Sequence, residues 1–267
     1  LPTIHPTAIV DPQAQLADDV EVGPWCLIKG PVTLGPGCRL LERVSLRGPL
    51  TLGENNLLYP GVIVGLAPQD LKFDPRVDGA GIVIGNHNIL RENITIHRAT
   101  KDRPTTVGCH NYIMANSHLG HDVLVGDHCM LANNAMLGGH VTIQDRAILG
   151  GNATVHQFCR VGRLAMISGL AGVSQDVPPF CTVYNTRRVG SLNLVGLRRN
   201  GLQPHIDALK VAFNLLYRRR LAMPNALSRI QDQCGQDPLC RELLDFCRTT
   251  HRGITGYAGS EDYDEQV

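Results

Sequence analysis

The chain places an aliphatic side chain at every sixth position over most of its length. One series runs unbroken from Ile4 to Val64, a second covers Ile84, Leu90 and Ile96, and a third runs from Val107 to Val173. All 26 anchors are Ile, Leu or Val. A six-residue period matches neither the roughly 3.6 residues of a helical turn nor the plain alternation of a strand. It matches a short strand followed by a sharp turn, repeated, with one side chain per unit pointing inward. The fifth position of each unit is small or short, as at Ala8, Cys26, Cys38, Ala135 and Ala153, so the interior is narrow. The second position is often Gly, as at Gly23, Gly35, Gly108 and Gly126. There, glycine is expected to relieve an unusual dihedral at the corner.

This pattern resembles the hexapeptide-repeat family. The resemblance implies an all-β left-handed parallel β-helix, a prism in which three units close one triangular coil of 18 residues. On that basis residues 1–189 form the prism, with loop insertions at 65–83 and 101–106. Residues 190–267 form a C-terminal α-helical domain that caps the open end of the solenoid. The segment 204–223 is an amphipathic helix candidate with Ile206, Leu209, Phe213 and Leu216 on one side, and 233–248 is a second. The polar, acidic stretch 256–267 is expected to fray.

With every third unit stacked, those anchored at Val64, Ile96, Leu119, Leu137 and Val155 share one face, and both insertions leave from this column. Insertions in a solenoid map to surface loops beside the binding face. The same column carries unusual polar residues. His121, Gly139 and Gln157 each stand third in their unit and 18 residues apart, so they should form a ladder with steps of about 4.8 Å. His140 and His156 flank it, His118 closes the preceding unit, and His97 and Arg98 lie one coil below. His97, His110 and His128 also fit a plainer role as solvated corner residues. A histidine cluster invites a metal reading, but the three-residue spacing of His118 and His121 fits the ligand pattern of hexapeptide zinc lyases poorly. No metal and no cofactor are expected.

Composition narrows the field. A net charge of +1 lacks the basic excess of a nucleic-acid binder. No run of eighteen apolar residues exists, so no transmembrane segment is expected. Nine dispersed cysteines without a C-x-x-C pair argue against a disulfide framework and for a reducing, cytoplasmic setting.

The segments 65–72 (GLAPQDLK), 96–100 (IHRAT), 117–122 (SHLGHD), 131–141 (LANNAMLGGHV), 155–162 (VHQFCRVG), 174–179 (SQDVPP) and 193–201 (NLVGLRRNG) are more specific than the repeat. Together they resemble the UDP-N-acetylglucosamine acyltransferases that begin lipid A synthesis. The family moves a 3-hydroxyacyl chain from acyl carrier protein to the 3-OH of UDP-N-acetylglucosamine. The resemblance implies His121 as general base, Asp122 as the acid that orients or charge-balances it, and Gly139 as the oxyanion amide. It implies substrate contacts at Asp70, Lys72, His118, His140, His156 and Gln157, and nucleotide or phosphate contacts at Asn193 and Arg199. It implies an acyl-length ruler at Gly169 with Met166 nearby, and a homotrimer whose clefts lie between subunits. Eight Lys and Arg residues between Arg187 and Arg220, against the single acid Asp207, suit docking of an acidic carrier protein.

The chain departs from the family at Val195, where an acid is common, at Asn200, where a second arginine is common, and at Gly120, where alanine is common. Alternatives are another hexapeptide acyltransferase, with a UDP-diaminoglucose acceptor or a coenzyme A donor, and a trimeric zinc lyase of the carbonic anhydrase kind.

Overall fold

The computed structural model describes residues 1–185 and 187–258. The repeat winds into a three-faced parallel β-solenoid whose sheets hold 11, 9 and 8 strands. Where the repeat is unbroken, each strand pairs with the one 18 residues on, as in Leu119 with Leu137 and Leu137 with Val155. Across the first insertion Leu58 pairs with Leu90, and across the second Leu90 pairs with Ile113. Both insertions therefore bulge outward and leave the register intact.

Register follows from burial. Every anchor from Val22 to Val173 is at most 4% exposed, whereas Ile4, whose strand pairs on one side only among the described residues, is 41% exposed. Sliding one strand by a residue would turn its anchor out to solvent. The cysteines at the fifth position, Cys26, Cys38, Cys129 and Cys159, are buried free thiols that fill the corners of this core. Burial pushes the Cys129 thiol up to about 12. At three fifth positions the filler is instead asparagine. Asn56 Oδ1 accepts from Asn88 N–H (2.9 Å), Asn88 Oδ1 from Asn111 N–H (2.9 Å), and Asn111 Oδ1 from Cys129 N–H (2.7 Å). Side-chain carbonyls thus supply acceptors to buried amides that would otherwise be costly.

The corners correct the expectation for glycine. From His110 to Leu170 every sixth residue has φ between 56° and 64°, so the left-handed residue is the fourth of the unit, not the second. It is filled by Asn, His, Asp, Arg, Phe and Leu rather than by glycine. The second-position glycines answer to crowding between coils. A Cβ on Gly23 would lie 2.4 Å from the Leu41 carbonyl oxygen, and one on Gly35 would lie 2.7 Å from the Gly53 carbonyl carbon.

The last parallel strand, Cys181–Val183, pairs antiparallel with Val189–Leu192, and helices follow. They are α1 (Leu194–Arg199), α2 (Ile206–Phe213), α3 (Met223–Cys234) and α4 (Pro238–Arg248). A π-helical turn, Asn214–Arg218, extends α2. The segment 233–248, expected as one helix, straddles a break. Pro238 begins α4, with Asp237 capping it through the N–H groups of Leu239 and Cys240. The helix α3 ahead of it was not expected. Nor does the tail fray at once: Val189 N–H donates to Gly256 O (2.8 Å) and Ala258 N–H to Val189 O (2.9 Å). The rest of that tail lies outside the described residues. Among the described residues no helix is long and apolar enough to cross a membrane.

Candidate active site

The second face, the nine-stranded sheet, carries the column picked out from the sequence. Its outer surface forms an open groove of about 850 Å³. His118, Met136, Thr154 and Gly172, the outward residues of successive strands, make the floor. His121, Gly139 and Gln157 form one rim, and Asn152 and Leu170 belong to the other.

The rim is compact because the coils stack in register. His140 N–H donates to His121 O (2.9 Å), and Phe158 N–H donates to Gly139 O (3.1 Å). A Cβ built on Gly139 would meet His121 Cε1 and Nε2, each at 2.6 Å, so the imidazole edge lies directly on the glycine. Gly139 N–H has no acceptor among the described residues, whereas the neighbouring Gly138 N–H donates to Val155 O (2.9 Å). His121 Nδ1 lies 2.7 Å from Asp122 Oδ2, and since a carboxylate only accepts, Nδ1 carries the hydrogen; in the neutral ring Nε2 is then the acceptor, and the residue lines the groove. Asp122 is 7% exposed in its side chain. Burial works against its charge, but hydrogen bonds from Thr100 and His121 outweigh this and hold its carboxyl below the usual range. It is therefore a fixed negative charge behind the imidazole.

Four further histidines lie around the pair and along the groove. His140 stacks on Phe158 (4.5 Å) and meets His121 edge-on (5.0 Å), while His118 Nδ1 lies 2.7 Å from Thr95 Oγ1. Burial lowers the pKa of both, which favours their neutral forms. His156 Nδ1 lies 3.1 Å from Gln157 O. His97, expected as a solvated corner, is instead only 6% exposed. Burial first, then the neighbouring His118, His121 and Arg98, bring its pKa down to about 4. The other two fit their plainer role: His110 stacks between His87 and His128 on exposed corners at 4.8 Å.

The His97 shift makes a prediction. The unfolded chain takes up the proton near pH 6.5 and the folded chain only near 4. Stability is therefore lost as pH falls through that window, by about 3 kcal/mol for this group. Thermal melts from pH 7 to 4 should show this loss, and His97→Gln should flatten the curve.

Other residues from the sequence reading lie elsewhere. Asp70 and Lys72 sit on the first loop, exposed, with Lys72 N–H donating to Asp70 Oδ1 (2.9 Å); Gln69 from that loop lines the groove instead. Asn193 is buried as the N-cap of α1. Its Oδ1 accepts from Gly196 N–H (2.8 Å) and its Nδ2–H donates to Leu164 O (2.9 Å). Arg199 is exposed in the last turn of α1. Met166 faces outward from the first face, and Gly169 stands on the corner beside Leu170. Of the departures, Val195 is 55% exposed and Asn200 caps α1 by donating to Gly196 O (2.8 Å).

The first loop is tied down by Arg98, whose guanidinium donates to the carbonyls of Gly65, Pro75 and Val77. Arg98, Gln69, Thr100 and Arg187 were not singled out as site residues from the sequence. Arg98 was read only as lying one coil below the ladder and Arg187 only as part of the basic stretch, while for Gln69 and Thr100 the insertions leaving from this column were the hint.

The six-residue units and the parallel solenoid they wind into make the chain a hexapeptide-repeat protein. A sequence profile of bacterial transferase hexapeptides matches residues 104–139, and one described as UDP-N-acetylglucosamine O-acyltransferase, domain 2, matches residues 176–255. The acyl-[acyl-carrier-protein]–UDP-N-acetylglucosamine O-acyltransferase of Stutzerimonas stutzeri is 41% identical over 94% of this chain and 98% of its own. The solved UDP-N-acetylglucosamine acyltransferase of Francisella novicida superposes with a TM-score of 0.92 at 34% identity, covering 99% of both chains. That of Bacteroides fragilis gives 0.90 at 34% identity, covering 94% of this chain and 99% of its own. The chain belongs to the acyl-[acyl-carrier-protein]–UDP-N-acetylglucosamine O-acyltransferase family.

Proposed function

We propose that the protein transfers a 3-hydroxyacyl chain from acyl carrier protein to the 3-OH of UDP-N-acetylglucosamine, the first step of lipid A biosynthesis. The observation that carries the mechanism is the contact of the His121 edge with Gly139. His121 Nε2 takes the proton of the sugar 3-OH, and the oxygen attacks the thioester carbon. The carbonyl electron pair moves to oxygen, where Gly139 N–H receives it. Collapse of the tetrahedral intermediate forms the ester and expels the carrier thiolate, which takes its proton back from the His121 imidazolium. Asp122 stabilises that imidazolium through Nδ1–H. A thioester is already activated, so a base and an oxyanion donor suffice. His118, His140, His156 and Gln157 would orient the sugar, with Asp70, Lys72, Asn193 and Arg199 as subsidiary substrate contacts.

The His121, Asp122 and His140 ligand atoms lie within 4.8 Å of one another, which is the geometric basis of the rival zinc reading. The hydrogen bonds favour the acyl-transfer reading: Asp122 Oδ2 already accepts from His121 and from the Thr100 hydroxyl. The test is an assay of UDP-N-acetylglucosamine with a panel of 3-hydroxyacyl carrier proteins, products read by mass spectrometry. Formation of the 3-O-acyl nucleotide sugar supports the reading. Acyl transfer only from coenzyme A, or only hydration activity with bound zinc, defeats it.

A homotrimer completes the cleft in this reading. Outward residues of the first face (Leu57, Ile89, Tyr112, Met130, Ile148 and Met166) make an apolar stripe along the prism, with Ile89 37% and Met130 39% exposed. A contiguous stripe of this kind suits burial against another subunit. The exposed basic residues from Arg187 to Arg220 suit an acidic carrier protein, and nine free cysteines suit the cytoplasm. Gly169 stands at the rim beside Leu170, where the acyl chain would end. Gly169→Met should shift preference to shorter acyl donors in that same panel; an unchanged preference removes the ruler role.

A further inference from the structure

Asp122 sits on a left-handed corner, φ 58°, and is gripped at both ends by one stretch of chain. Thr100 Oγ1–H donates to its Oδ2 at 2.6 Å, and Thr100 N–H lies 3.1 Å from both carboxylate oxygens. Lys101 N–H reaches Oδ1 at 3.2 Å. At the other end, Asp122 N–H donates to Thr105 Oγ1 at 2.9 Å, and Thr105 is fully buried. Thr100 immediately precedes, and Thr105 lies near the end of, the second interruption of the repeat, where eleven residues instead of six separate Ile96 from Val107.

The extra residues thus bring hydroxyl and amide donors to a corner that solenoid packing alone does not require to be clamped. The corresponding corner of the next coil, His140, shares the left-handed conformation without such a loop. The clamp also selects an atom. The oxygen that takes the Thr100 hydroxyl is the one that accepts His121 Nδ1–H at 2.7 Å, and it lies 3.7 Å from His140 Nε2. A carboxylate free to rotate about its Cβ–Cγ bond could turn toward His140 and release His121.

We infer that Thr100 and the insertion at 101–106 that follows it form a clamp on Asp122, in which Thr100 is a positioning residue for catalysis. By fixing Oδ2 it fixes the tautomer and orientation of His121, so that Nε2 meets the acceptor hydroxyl beside Gly139. This rests on the reading of His121 and Asp122 as the base and its partner. Thr100 does not line the groove; it acts through Asp122.

Thr100→Val keeps the side-chain shape and the backbone N–H groups and removes only the hydroxyl donor. It should lower kcat about tenfold, the scale of one hydrogen bond to a charged group, with both KM values and the melting curve unchanged. Thr100→Ser should restore kcat. In an Asp122→Ala background Thr100→Val should have no further effect, because the two act as one unit. Wild-type kcat in Thr100→Val beside a damaged Asp122→Ala enzyme overturns the clamp and leaves the base assignment standing. Independent, multiplying losses, or a loss that tracks a lower melting temperature and that serine does not repair, also overturn it. Wild-type kcat in Asp122→Ala overturns the underlying reading together with the clamp.

Discussion

His121→Ala should lower kcat about a thousandfold, within the usual reach of a positioned general base, and leave the melting curve where it is. The two outcomes separate because the imidazole belongs to the groove and not to the core. Its side chain is 17% exposed, and Nδ1–H to Asp122 is its sole side-chain hydrogen bond among the described residues. Deleting the ring strands no buried group, since Asp122 keeps the Thr100 and Lys101 donors. Both KM values should change little, because the base works on the transition state rather than on the bound substrates. Steady-state kinetics and a thermal melt on the same preparation check this. Turnover near the wild-type rate would take His121 out of the chemistry.

Gly139→Ala should be nearly as damaging, by a different route. The added methyl would lie 2.6 Å from Cε1 and Nε2 of His121, inside any real contact distance. The obstruction is a side-chain ring and not backbone, so the ring moves and the coil stays. Nε2 then leaves the line between the acceptor hydroxyl and the Gly139 amide. A loss of at least about a hundredfold in kcat is expected, since misplacement by about an ångström costs that much. Folding should be intact, and a crystal structure should show the imidazole rotated off the glycine. Full activity with the methyl present would mean that base and amide do not share one reacting carbonyl.

The prism was legible because each unit repeats one demand, an aliphatic anchor facing a narrow core, and the demand is visible one residue at a time. The stacking of His121, Gly139 and Gln157 follows from that period, since equivalent positions must pair 18 residues on. What the period could not reveal is what a single position does within its unit. The left-handed corner falls on the fourth residue, whose types from Asn116 to Phe158 share no side-chain class. The glycine at the second position looks like a turn residue and is a spacer between coils.

Long-range polar contacts were hidden for the same reason. Thr100 meets Asp122 across 22 residues, and Arg98 meets Gly65 across 33 residues, with no periodic signature to mark either pair. In the helical region, packing rather than pattern sets the boundaries, and Pro238 divides what hydrophobic spacing alone reads as continuous.

The most direct test of this account is a crystal structure of the protein with the 3-O-acyl nucleotide sugar bound. The account predicts the ester carbonyl oxygen at hydrogen-bonding distance, about 2.7–3.1 Å, from the Gly139 nitrogen, with the sugar 3-oxygen within reach of His121 Nε2. An acyl sugar seated elsewhere on the prism, or with its carbonyl turned away from Gly139, would contradict it.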